Sequence, residues 1–330
     1  MSYENSSAPR TNHNLKQKEK EMNTQLNEEM LGKSLTKFEP ETAAPSIASS
    51  ACLSELSISQ WGGRKKDRKA SKEVTANNNA ASGVANVHKK LLGDCPELDA
   101  VHKMTGNIRN MHYAMTMPWS DIGMRLLPTK QYFNYHKQMT EMENEWYKTV
   151  EAFLNSYNWE ISKAEAKLGN LFYRDEYPTV DTLKGKFSFN LTYIPIPETG
   201  DFRIDIGNEA KAEIVRGYGE YYSRQIKNAM DDIWSRLYSA LNKMSERLDY
   251  TNSDNKKIFR DSIVSNVVDI IGLLDTCNVT GDSQMSAARL KLEEAMYSVT
   301  PDALREDDYL RGVTKKAMDD VIKSLPSLDI

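Results

Sequence analysis

The stretch Lys186-Phe187-Ser188-Phe189-Asn190-Leu191-Thr192-Tyr193 decides the fold. Phe187, Phe189, Leu191 and Tyr193 alternate with Ser188, Asn190 and Thr192, the period-two pattern of a strand with one buried face. Pro195 and Pro197 cannot donate to a ladder, so they mark the strand's end or a sheet edge. Glu198-Thr199-Gly200 reads as a turn, and Phe202, Ile204 and Ile206 alternate with Arg203 and Asp205. A β-hairpin over residues 186–206 follows. A lone hairpin is marginal in water, so a third strand is needed. Leu56-Ser57-Ile58-Ser59-Gln60-Trp61 has the same alternation and supplies it.

The rest of the chain is helical. Met139, Met142, Trp146, Val150, Phe153 and Tyr157 recur at steps of three and four, one face of a helix from about 130 to 157 with Thr129 as its N-cap. A short helix over 162–172 follows, ended by Tyr177-Pro178. Ile226, Met230, Ile233, Leu237, Leu241, Met244 and Leu248 form a narrow stripe on a long helix over 208–250. Ser253 or Asp254 starts a helix to Leu274, and Asp282 or Ser283 caps another to about Tyr297. Thr300-Pro301-Asp302 opens a last helix ending before Pro326, since proline suits the first helical position. Residues 101–115 form an earlier helix, and residues 123–128 read as a connector. The fold class is α+β, mostly α-helical, with a small antiparallel sheet near 56–61, 187–194 and 202–206.

Composition sets the outer parts. Residues 1–50 are rich in Ser, Asn, Thr and mixed charge, too poor in apolar surface to offset ordering entropy, so they read as a disordered polar tail. Residues 51–250 read as the core helical domain with the sheet, and residues 251–330 as C-terminal helices packing on it. The 43 Lys+Arg against 47 Asp+Glu exclude a uniformly basic nucleic-acid coat. No apolar run approaches the roughly 20 residues of a membrane span, and the N-terminus lacks a signal-peptide core. A cytoplasmic protein with no membrane partner is expected. Three scattered cysteines, Cys52, Cys95 and Cys277, imply no disulfide framework.

Chemistry-bearing motifs are sparse. His88, His102, His112 and His136 lie in one region with Cys95, but their spacing matches no common metal pair, so no metal is expected. There is no Gly-x-Ser-x-Gly, His-Glu-x-x-His or Walker loop, and Gly217-Tyr218-Gly219 lacks the third glycine of a dinucleotide fingerprint. The chain therefore reads as a non-enzyme without cofactor. One charged cluster stands out. Trp61-Gly62-Gly63 runs into Arg64, Lys65, Lys66, Arg68, Lys69 and Lys72, with a helix continuing to about Ala76 and a loop over 77–83. Cations at a helix N-terminus oppose its dipole, which makes the cluster more than an ordinary solvated face. Glycines would let the backbone approach phosphate, and a base could stack on the Trp61 indole.

Three blocks carry a family resemblance. The first is Leu56-Ser57-Ile58-Ser59-Gln60-Trp61 with Gly63-Arg64-Lys65-Lys66-Asp67. The second is Pro118-Trp119 with Gly123, Arg125, Leu126-Leu127-Pro128 and Tyr132. The third is Tyr177-Pro178, Lys186-Phe187-Ser188-Phe189 and Gly200-Asp201-Phe202-Arg203-Ile204-Asp205. Over roughly residues 50–250 the chain resembles a family of uncharacterised tailed-phage and bacterial proteins carrying a domain of unknown function. The resemblance implies a phage or prophage origin and a place in the host-cell cytoplasm. In some genomes such proteins are encoded near MoxR-type AAA+ ATPases, which implies such a machine as partner. The family has no assigned catalytic residues, so it implies none here.

The leading expectation is a non-enzymatic phage protein acting through protein–protein contacts or self-association, as an accessory or adaptor of an AAA+ machine. Its narrow helical stripe and its 15 Met residues suit adaptable packing surfaces. The alternative is a single-stranded nucleic-acid-binding protein in phage replication or recombination, with single-stranded DNA as its partner. Trp61, Arg64, Lys65, Lys66, Arg68 and Lys69 would then contact the strand.

Overall fold

The computed structural model describes residues 47–121, 123–197, 208–250 and 259–326. The chain divides into residues 1–44 and 45–330, and all that follows concerns the second unit. Most of the expected polar tail, and the turn and strand expected at 198–206, lie outside the described residues. In chain order the elements are β1 (Ala51–Ser59), β2 (Arg64–Asp67), α1 (Arg68–Asn77), β3 (Val87–Lys90), α2 (Pro96–Met115), β4 (Met117–Pro118) and β5 (Met124–Pro128). They continue with α3 (Thr129–Leu168), α4 (Val180–Lys184), β6 (Ser188–Ile194), α5 (Asn208–Leu248), α6 (Asp261–Thr276), α7 (Ser283–Ala295), α8 (Pro301–Glu306) and α9 (Asp308–Ser324). The fold is α+β and mostly helical. No described helix is long and apolar enough to cross a membrane.

The main sheet is antiparallel, in the order β4-β5-β1-β6. Leu56 pairs with Leu191 and Ile58 with Phe189, so the two stretches read as strands from their alternation are direct neighbours. Residues 124–128 are not a connector but β5, with Leu53 opposite Leu126 and Cys52 opposite Leu127. Alternation could not reveal this strand, because Leu126 and Leu127 are both fully buried, one on each face of the sheet. β1 ends at Ser59, and Trp61 lies beyond it.

One sheet face carries Leu56, Ile58, Leu127, Phe189, Leu191 and Tyr193 and packs on α2 and α3. The stripe expected on α3 fills this core: Met139, Trp146, Val150, Phe153 and Tyr157 are buried. The helix does not stop at 157. Ile161 and Ala164 continue its buried face at steps of four and three, so the two helices expected over 130–157 and 162–172 are one of 40 residues. The far face of the sheet meets α5, where the Tyr222 hydroxyl accepts from the Ile47 backbone N–H at 3.2 Å and its ring meets Trp119 edge-on. All seven residues of the α5 stripe are buried, and α5 packs on α6 and α9. Asp307 breaks the last expected helix in two. Its extended backbone ends α8, and its carboxylate accepts from the Leu310 N–H to cap α9.

Candidate nucleic-acid interface

The basic cluster does not simply open a helix. Residues 64–67 form β2, which pairs antiparallel with β3 in a separate two-stranded ribbon. Gly63 turns the chain into it at φ +60, a conformation glycine adopts without cost. A Cβ there would lie 2.7 Å from Leu98 Cδ2, and the Gly63 carbonyl accepts from the Leu91 N–H at 2.8 Å. At the other end Asp67 caps α1, accepting from the Ala70 N–H at 2.9 Å. The Ser71 hydroxyl accepts from the Val87 N–H at 3.0 Å, tying β3 to α1.

The register places like charges opposite one another at two positions: Arg64 faces Lys90 and Lys65 faces Lys89, while Lys66 faces His88. Side chains alternate across a strand, so the cations divide between two faces. Lys65, Lys89, Asp67 and Val87 share the inner face. There Lys89 is buried, its ammonium 2.7 Å from the Glu176 carboxylate, donating to the Leu171 carbonyl and lying over the Tyr173 ring. Lys65 sits 3.8 Å from the same carboxylate. Arg64, Lys66, His88 and Lys90 share the outer face and are all exposed. Among the described residues only Lys90 of these has an acid within ion-pair distance, Asp94 at 4.0 Å, and both are mostly solvated. Arg68, Lys69 and Lys72 on α1 are exposed too, and none of them is ion-paired among the described residues.

The structure thus separates the residues singled out from sequence. Arg64 and Lys66 stand together on the open face, and Arg68 and Lys69 flank it on α1. Lys65 turns toward Glu176. Trp61 is half-buried, stacked on Phe153 at 6.1 Å and edge-on to Tyr157 at 5.8 Å. Its indole completes the core's rim and is not a free platform for a base. The aromatic strand face is likewise packed: Phe187 and Phe189 are buried against Trp146. Sequence reading missed His88 and Lys90, because only pairing with residues more than twenty positions earlier makes a basic face of them.

Two other polar clusters bear on chemistry. Ser54, Tyr135 and His112 are hydrogen-bonded in a chain, with 3.1 Å between the Ser54 and Tyr135 oxygens and 2.7 Å from that phenol to His112 Nδ1. All three are buried. Burial pushes the Tyr135 phenol up to about 12, and burial together with Arg125 pulls the His112 imidazole down to about 4. This network is closed within the core among the described residues. A groove of about 320 Å³ between α5 and α6 is lined by Arg236, Lys243, Asn266, Ile263 and small residues, and its described lining holds no carboxylate, imidazole or thiol.

Comparison with family models finds no match, and comparisons with curated proteins and with solved structures find none.

Proposed function

We propose that the chain binds the phosphate backbone of single-stranded nucleic acid across the outer face of the β2–β3 ribbon. The supporting observation is the pairing of Arg64 with Lys90, with Lys66 on the same open face. Like charges directly opposite on a strand pair destabilise it. A polyanion lying across them removes that repulsion and releases its counterions. Residues 61–90 hold eight Lys/Arg against two acids, so the field there is positive although the whole chain is acidic. With Trp61 packed, recognition runs through the backbone and is tolerant of base sequence.

The test is anisotropy of a labelled oligothymidylate at several salt concentrations. Wild type binds at low salt and weakens steeply, with a log–log slope of about −0.7 per phosphate engaged. An Arg64→Ala/Lys66→Ala/Lys90→Ala variant flattens the slope and binds at least about 10-fold more weakly, while Lys65→Ala changes little. Equal binding by wild type and the triple variant overturns the proposal.

A second reading, contact with a protein partner or another copy, is favoured by Phe133. It is 82% exposed at the start of α3 beside the Tyr132 ring. Sedimentation of wild type against Phe133→Ser tests it: a strict monomer in both counts against self-association. A phage origin, the host cytoplasm and an AAA+ partner rest on the family resemblance alone.

A further inference from the structure

We propose that Cys95, Glu97 and Glu160 form a binding site for a divalent transition metal of the zinc class. Their ligand atoms, one from each, lie within 4.8 Å of one another. Cys95 sits at the N-cap of α2, with Pro96 fixing the first helical residue and Glu97 in the first turn. The thiol lies 3.7 Å from Glu97 Oε2. Glu160 comes from late in α3, and α2 packs along α3 in the core, so the two helices hold the three groups in register.

The independent observation is Glu160 itself. Its side chain is 3% exposed, one oxygen is taken by Lys163 at 2.6 Å, and Oε2 is buried with no hydrogen-bond partner among the described residues. A buried carboxylate oxygen left unpaired is costly, by roughly 1–3 kcal/mol or more for a charged group. A metal ligand bond satisfies it.

Charge balance agrees. A thiolate and two carboxylates carry three negative charges, and a divalent ion with the Lys163 ammonium carries three positive. Without metal, Cys95 is a buried thiol beside the Glu97 carboxylate. Binding therefore releases the thiol proton to solvent as the S–metal bond forms, with no change of oxidation state. A mixed sulfur–oxygen set suits Zn²⁺ or Co²⁺ and not Mg²⁺ or Ca²⁺. Three protein ligands leave a fourth tetrahedral position for water. Glu97 and Lys163 are both half-exposed, and they give the ion its way in.

Co²⁺ is the probe, titrated into the full chain. One equivalent should bind, with sulfur-to-cobalt charge-transfer absorption in the near ultraviolet and a raised melting temperature. Zn²⁺ should displace it and Mg²⁺ should not. Cys95→Ser should abolish the band. Glu97→Gln, half-exposed and safe for folding, should weaken affinity at least about 10-fold. Absence of the band in folded wild type, its survival in Cys95→Ser, or unchanged affinity in Glu97→Gln would each overturn the site.

Discussion

The phenol of Tyr135 bridges Ser54 on β1 and His112 on α2, lying 2.7 Å from His112 Nδ1. The imidazole is buried and beside Arg125, so it is neutral in the folded protein at pH 7. Its folded value is about 4, below the 6.5 of an unfolded histidine. The unfolded chain thus binds a proton between these values and the folded chain does not. Stability is unaffected above about pH 6.5 and falls as pH drops toward 4, by on the order of 3 kcal/mol for this group. Urea midpoints of wild type and His112→Gln, measured from pH 7 to 4, check it. Carboxylates titrate in both chains, so the difference between the two curves is the readout. Parallel curves would refute the assignment.

The same bridge predicts a cost for Tyr135→Phe. The ring still fits, but Ser54 Oγ and His112 Nδ1 each lose their buried partner. A loss of about 1–3 kcal/mol is expected. A double-mutant cycle with Ser54→Ala should show coupling, because the two changes act on one chain of hydrogen bonds. Additive effects would mean that the hydroxyls are satisfied elsewhere.

Gly63→Ala should loosen the ribbon where it joins the core at Leu98. The substitution meets both a positive φ and the Leu98 side chain at 2.7 Å. The expected cost is about 1–3 kcal/mol. Hydrogen exchange should locate it: the amide of Leu91, which donates to the Gly63 carbonyl, loses protection. Gly62, with nothing near its added Cβ, is the matched control.

What the sequence disclosed and what it hid divide along one physical line. The stripes on α3 and α5 were legible, because helical periodicity is a local property and each stripe is buried by whatever packs on it. The pairing of Leu56 with Leu191 was legible as two alternating runs in need of each other. β5 was not, since its adjacent leucines are buried on opposite faces and alternation vanishes. The ribbon was half-legible: Arg64 and Lys66 were visible as charge, whereas Lys90 became their neighbour only through pairing. Trp61, beside two glycines, resembled an exposed stacking platform. Its partners Phe153 and Tyr157 stand on a helix far along the chain. Cys95 and Glu160 are brought together in the same way, and no spacing rule could have joined them.

The ribbon makes a prediction in which stability and binding move in opposite directions. Lys66 faces His88, and Arg64 and Lys90 share that open face. Lys66→Thr removes one member of this repulsive set and introduces a β-branched residue favoured in strands. Folding stability should therefore stay level or rise by a few tenths of a kcal/mol. Affinity for the oligothymidylate should fall several-fold, and the salt slope should lose about 0.7, the share of one phosphate contact. Denaturation and anisotropy on one preparation measure both. A variant that loses stability and keeps affinity would mean that Lys66 serves the fold, and the case for a polyanion on this face would fail with it.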